Sequence, residues 1–256
     1  LRGSSGGPCF VTLIANRPVT YIDRYFDKTG GANAVGLMRF TPHGDFDTTF
    51  SSDGISTVPL AAANGTAVRR PDGKVVLVGE SYNNGNIKVI TLAQFLPDGS
   101  PDPNFGNGGF LTTPVEIQGF VFEGCKGAAL LPDGRLLVGT SPNGGQGGML
   151  MACFQTDGSL DATYGTNGVS IYNADNLSGL KLVLLPDGST LQFGNANGIG
   201  VIIKRTADGQ LVNTFGNGGV LQVNSGFGGY GFHDGLQLPS SRIIALGGAG
   251  EEAWVV

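Results

Sequence analysis

Apolar residues along this chain fall in short runs of four to eight positions, rich in Val, Leu, Ile and Phe and bounded by Gly, Asn, Asp or Pro. Val75-Val76-Leu77-Val78 is typical, as are the runs around Gly36-Leu37-Met38, Val89-Ile90 and Met149-Leu150-Met151. Such runs have strand length, and a near-continuous apolar run suits a strand covered on both faces. No window of a dozen residues keeps a convincing helical period. The pattern therefore predicts many short strands joined by tight turns.

The turns are spelled alike several times. Four segments read TPHGDFDTTFSSDGIST from Thr41, LPDGSPDPNFGNGGFLT from Leu96, QTDGSLDATYGTNGVSI from Gln155 and TADGQLVNTFGNGGVLQ from Thr206. Their shared glycines, Gly44, Gly99, Gly158 and Gly209, are spaced by 55, 59 and 51 residues. Within them recur an acid, an aromatic and a glycine: Asp47, Phe50, Gly54; Asp102, Phe105, Gly109; Asp161, Tyr164, Gly168; and, with Val212 in place of the acid, Phe215 and Gly219. A second anchor alternates with the first: RPDGKVVLVG from Arg70 onward, LPDGRLLVG from Leu131, LPDGSTLQFG from Leu185 and a degenerate LPSSRIIALG from Leu238. GPCFVTLIAN, from Gly7, reads as a worn further copy.

Local chemistry accounts for the spelling. Pro presets φ, Asp bonds its own backbone and Gly accepts the positive φ of a tight turn; Asn-Gly at Asn107, Asn167 and Asn217 is a hairpin signal. Each unit of 51–59 residues has room for four strands of about six residues with their turns, which is the size of a propeller blade. A β-solenoid competes, but its coils are usually about 20–30 residues. The expectation is all-β: one β-propeller domain over 1–256, about four and a half to five four-stranded blades, with units at 7–68, 69–130, 131–184, 185–237 and a partial 238–256. The Asp-Gly strand counts as the first of each unit, so the chain opens on a first strand near Cys9–Ala15 and closes on a second at Ala253–Val256. The last blade is then two strands short. Its open edge predicts a covering by further chain, a protein partner or further copies of the same chain.

P-D-G-[KR]-[VIL]-[VIL]-V-x-G followed by P-D-G-S-L-D-x-[ST]-F-G-x-G-G resembles the delta-60 repeat; LPDGSPDPNFGNGG and TDGSLDATYGTNG match it best. The resemblance covers nearly the whole chain. It implies tandem repeats of propeller type in secreted or surface bacterial proteins, an extracytoplasmic location, and no particular reaction. Val212, and Ser240-Ser241 in place of Asp-Gly, depart from the pattern. They suggest that the repeated acid is a turn cap, replaceable at modest cost.

Composition narrows the function. Net charge is −5 with a sequence pI near 4.9, and no basic cluster is longer than the pair Arg69-Arg70, which argues against nucleic acid. No apolar run approaches the roughly 18 residues of a membrane span. The chain starts at Leu1 without an initiator Met, as a processed product or a segment of something longer would. Cys9, Cys125 and Cys153 form no C-x-x-C pair; they read as small buried residues, with a Cys125–Cys153 disulfide as the alternative. His43 reads as a solvated turn residue. His233 and Asp234 are strand neighbours pointing to opposite faces, a poor catalytic pair. The loop Asp102–Asn107 lacks the spacing of a calcium site, so no metal or cofactor is expected. Phe227, Tyr230 and Phe232 in GFGGYGF suggest core packing, with a sugar-stacking surface as the alternative. Asn64 and Asn176 head glycosylation triplets. With no catalytic motif and hydrophobic strand ends, the sequence points to a non-enzymatic structural or protein-interaction module. A lectin-like propeller and a propeller hydrolase or lyase are the alternatives.

Overall fold

The structure, a computed structural model, describes residues 11–14, 17–26, 33–58, 63–82, 88–113, 121–143, 147–223, 231–249 and 252–255. Among them are strands and turns and no helix. The first sheet runs β1 (Val11–Ile14), β2 (Arg17–Phe26), β3 (Asn33–Arg39), β4 (Ile55–Val58). The second runs β5 (Ala63–Arg69), β6 (Val75–Tyr82), β7 (Lys88–Phe95), β8 (Phe110–Thr113). The third group is β9 (Val121–Leu130), β10 (Leu136–Asn143), β11 (Gly148–Phe154), β12 (Val169–Asn173), and the fourth β13 (Leu177–Leu184), β14 (Thr190–Ala196), β15 (Ile199–Arg205), β16 (Val220–Val223). A single parallel pair, Gly148↔Ser178, links these two groups into one path. A last sheet holds β17 (Phe232–Gln237), β18 (Ile243–Ala249) and β19 (Glu252–Val255).

Every group is an antiparallel meander in chain order, which is the connectivity of a propeller blade. Pairings such as Val75↔Phe95 and Leu92↔Leu111 set the register of the second sheet. The Asp-Gly anchors turn the chain between the first and second strand of each group: Arg70 N–H bonds Lys74 O at 2.8 Å, Leu131 N–H bonds Arg135 O at 2.8 Å and Leu185 N–H bonds Ser189 O at 2.8 Å.

This corrects the expected phasing. The strand after each Asp-Gly turn (β6, β10, β14, β18) is second in its group. Its N-terminal counterpart is β2, and the segment expected as an opening anchor strand is β1. Two adjacent apolar runs look alike in sequence; pairing alone decides which is which. The last sheet accordingly has three described strands, one short rather than two. β1 pairs with β2 and β19 with β18.

The chain divides into two compact units, Leu1–Val115 with Thr156–Ser159, and Glu116–Gln155 with Leu160–Val256. The core of the first gathers Leu37, Phe50, Val75, Leu77, Ala93 and Phe95. That of the second includes a cluster around Leu137, Met151 and Tyr164, and another around Leu191, Phe193, Ile202 and Phe232.

Candidate functional site

The repeated acids are caps, and more than caps. Asp47 Oδ1 accepts from the Thr49 N–H at 3.1 Å, Asp102 Oδ1 from the Asn104 N–H at 3.0 Å and Asp161 Oδ1 from the Thr163 N–H at 3.1 Å. Each is also buried, at 2%, 1% and 2% exposure, and each meets a cation: Arg39 Nε at 2.7 Å, Lys74 Nζ at 3.0 Å and Arg135 Nη1 at 2.7 Å. A buried carboxylate is tolerable only when paired and hydrogen-bonded, so the expectation of a cheaply replaceable cap is corrected. The Thr163 hydroxyl, against the cost of burial, and then Arg135 hold Asp161 below the usual carboxylate range. Burial also opposes the charge on Asp102, but the Asn104 N–H, Lys74 and Gln94 outweigh it and its pKa is lowered.

Where the fourth copy has Val212, a different solution appears. Arg205 stands where the other copies have Phe40, Phe95 and Phe154, and it is completely buried. Its guanidinium donates to Ser170 Oγ at 2.9 Å, to Met149 O at 3.0 Å and to Gln192 Oε1. Burial pulls its pKa down to about 10.

The repeated aromatics Phe50, Phe105 and Tyr164 are buried. Phe215 is only half-buried. Gly54, Gly109, Gly168 and Gly219 all adopt a positive φ and donate the closing bond of their turn; the Gly109 N–H, for instance, donates to Phe105 O at 2.9 Å.

The strand ends are polar where hydrophobic ends were expected. One residue past the anchor glycine stand Glu80 on β6, Thr140 on β10 and Asn195 on β14, after Gly79, Gly139 and Gly194. Glu80 and Ser81 are each 7% exposed and Thr140 2%. Ser81 Oγ and Thr91 Oγ1 are 2.7 Å apart. Ser141 Oγ receives the Gly179 N–H at 2.8 Å, and Asn195 Oδ1 the Gly198 N–H at 2.8 Å. Aligning the anchors one residue beyond their terminal glycine was the signal that could have found this row.

The other candidates disperse. Phe232 is fully buried, edge-on to Phe193 with centroids 6.4 Å apart, and so packs in the core; Phe227 and Tyr230 lie outside the described residues. His43 and His233 are exposed, and Asp234 pairs with Lys181 at 3.2 Å. Cys125 and Cys153 are reduced thiols; burial pushes the Cys153 thiol up to about 12. Cys9 and Asn64 fall outside the region whose side chains are described, and Asn176 is exposed in a turn. Among the described residues no group of acids, His or Cys could hold a metal ion, and no helix is long and apolar enough to cross a membrane.

Fold and repeats together define a propeller-type repeat protein. The family model described as "Domain of unknown function (DUF5122) beta-propeller" matches residues 21–50, 70–105 and 131–164. No curated protein matches. Among solved structures, a protein of unknown function from Dyadobacter fermentans DSM 18053 is similar over 90% of this chain and 68% of its own, at 12% identity and a TM-score of 0.50. An endo-arabinase from Bacteroides thetaiotaomicron is similar over 96% of this chain and 92% of its own, at 10% identity and a TM-score of 0.49. A thermostable family-43 glycoside hydrolase is similar over 96% and 86%, at 13% identity and a TM-score of 0.44. These likenesses are of fold alone. The expectation of a non-enzymatic module, which rested on hydrophobic strand ends, is corrected here: those ends carry buried polar groups, Glu80 among them.

Proposed function

We propose that this chain is a propeller hydrolase of neutral glycans, working outside the cytoplasm, with Glu80 as its acid–base residue and repeats of the delta-60 type. One observation carries the reading: Glu80 is a carboxylate only 7% exposed, following the apolar run Val75–Val78 on β6. Glycoside hydrolysis needs a carboxylic acid to protonate the leaving oxygen and a second carboxylate to attack or to activate water. In the second unit the same strand position carries Thr140 and Asn195, whose hydroxyl and carboxamide are of the kind that bind sugar hydroxyls. The net charge of −5 disfavours anionic polymers.

The test is reducing-sugar release from a panel of neutral polysaccharides, arabinan and xylan included, by the wild type and by Glu80→Gln. The isosteric amide is expected to lower the rate by about 100-fold or more, the usual worth of a general acid–base. An amide scan of the remaining acids then locates the second carboxylate. Release by Glu80→Gln at the wild-type rate, or no release from any polysaccharide, overturns the reading.

A further inference from the structure

An asparagine followed by glycine is open to attack on its own side chain, because glycine has no Cβ to crowd its nitrogen. Four such pairs have their side chains described: Asn107-Gly108, Asn167-Gly168, Asn197-Gly198 and Asn217-Gly218. All four asparagines are exposed. Exposure therefore does not separate them; the main-chain hydrogen bonds do. The repeats place the pair differently in one and the same turn. The second and fourth copies read Gly106-Asn107-Gly108-Gly109 and Gly216-Asn217-Gly218-Gly219. The third reads Gly165-Thr166-Asn167-Gly168, with its asparagine one position later.

The turn has the same two bonds in all three copies. The first runs from Asn107 N–H to Phe110 O at 2.9 Å, from Asn217 N–H to Val220 O at 2.8 Å and from Thr166 N–H to Val169 O at 2.7 Å. The second runs back to the aromatic, from Gly109 N–H to Phe105 O at 2.9 Å, from Gly219 N–H to Phe215 O at 2.8 Å and from Gly168 N–H to Tyr164 O at 2.9 Å. In the third copy the nitrogen after the asparagine is thus the closing donor, and Gly168 is buried. In the other two that nitrogen belongs to Gly108 or Gly218, both exposed, and its N–H makes no hydrogen bond among the described residues. A Cβ on either glycine would meet nothing within 4 Å, so the surroundings are open. Asn197 is held on both sides of the reaction: Gly198 N–H donates to Asn195 Oδ1 at 2.8 Å, and Asn176 Nδ2 donates to Asn197 Oδ1 at 2.8 Å.

We propose that Asn107 and Asn217 convert spontaneously to aspartate and isoaspartate in the folded protein, while Asn167 and Asn197 stay asparagine. The reaction needs only water. Hydroxide takes the proton of the Gly108 or Gly218 N–H, and the nitrogen attacks the asparagine Cγ. The new N–C bond closes a succinimide ring and the C–N bond of the carboxamide breaks. Ammonia leaves, taking its third hydrogen from water and regenerating hydroxide. A further water opens the ring at either carbonyl, which gives aspartate or an isoaspartyl link running through the side-chain carbon. Each conversion replaces a neutral carboxamide by a carboxylate, and the isoaspartyl form also lengthens the turn. A nitrogen engaged as a donor reacts only after its bond is broken, so the bonds of Gly168 and Gly198 protect their asparagines. The inference is independent of the glycan reading.

The folded protein is aged in mildly alkaline buffer and mapped by mass spectrometry, which reads the amide-to-acid mass gain at each asparagine; electron-transfer fragmentation separates isoaspartate from aspartate. Asn107 and Asn217 should convert at least about tenfold faster than Asn167 and Asn197, the factor that one hydrogen bond and the turn it closes are worth. In guanidinium the four rates should draw together, because the fold is what distinguishes them. Two double variants move the pair within its turn. Thr166→Asn with Asn167→Gly gives the third turn the spelling of the second, and glycine suits the φ of +52 at position 167; conversion should then appear at position 166. Asn107→Thr with Gly108→Asn does the reverse, at a φ of +66 that asparagine tolerates, and conversion in that turn should fall to the level of Asn167. Circular dichroism confirms that both variants are folded. Equal rates at the four asparagines of the folded protein, a difference that persists unchanged in guanidinium, or a folded first variant unconverted at position 166 overturns the proposal.

Discussion

Replacing Gly158 by Ala isolates what the turn-on-aromatic contact contributes to stability. Gly44 provides the control, because both sit in the same turn with φ +91. Alanine at that angle costs about 1–2 kcal/mol at either site. At Gly44 this is the whole cost, since its Cβ would meet nothing within 4 Å. At Gly158 the new Cβ would lie 2.2 Å from Leu111 Cδ2 and 2.8 Å from Phe105 Cζ. Leu111 can turn aside, but Phe105 is 1% exposed and cannot. Overpacking of this kind costs about 1–3 kcal/mol more. Gly44→Ala should therefore lose about 1–2 kcal/mol and Gly158→Ala about 2–5 kcal/mol. Urea unfolding of dilute protein measures both, provided the slope against denaturant is unchanged. Losses that agree within about 0.5 kcal/mol would refute the reasoning, because that is the scatter of independent sites.

Three further outcomes are expected. Asp102 and Asp161 have lowered pKa values in the fold, so their stabilisation is fully present above the unfolded value near about 3.9 and is lost as pH falls through the folded values; the urea midpoint should drop on acidification below about pH 4, less steeply in Asp161→Asn, and a rise would contradict this. Cys153, buried and with its thiol pushed up to about 12, should stay unreactive to a disulfide reagent at pH 8 until the chain unfolds, a point that labelling followed by mass spectrometry decides; early labelling of Cys153 would show the core to be open. Arg205→Ala strands Gln192, Ser170 and Met149 O without their donor and should cost about 3 kcal/mol or more, whereas Arg205→Phe with Gln192→Leu restores the apolar types of the other copies; a thermal melt placing the double variant below Arg205→Ala would refute that account.

The legible part of this protein is what neighbours along the chain decide. Glycine, asparagine and aspartate at fixed offsets fix the turns, short apolar runs fix the strands, and the spacing of Gly44, Gly99, Gly158 and Gly209 fixes the repeat. The all-β class and the units of four strands follow from these local terms. Phasing did not follow. Val11–Ile14 and Arg17–Phe26 are both strand-like, and only hydrogen-bond pairing makes the second of them the counterpart of β6. The candidate site was half visible: Glu80 stands in plain view after Gly79, but its burial comes from the strands packed around it.

The list of turns and strands can be read along the chain, because each is settled by backbone preferences within a few residues. The tertiary structure alone decided which distant groups meet. It puts Asp161 beside Arg135, 26 residues away, and Gly158 on Phe105, where a repeat's aromatic finds the bare turn of the next repeat. It also turns Arg205 inward, onto Gln192 and Ser170, at a place where three sibling repeats bury phenylalanine or half-bury it. The physical reason is range. Turn chemistry acts within four residues, whereas desolvation and packing act between groups that come together only once the sheets have formed.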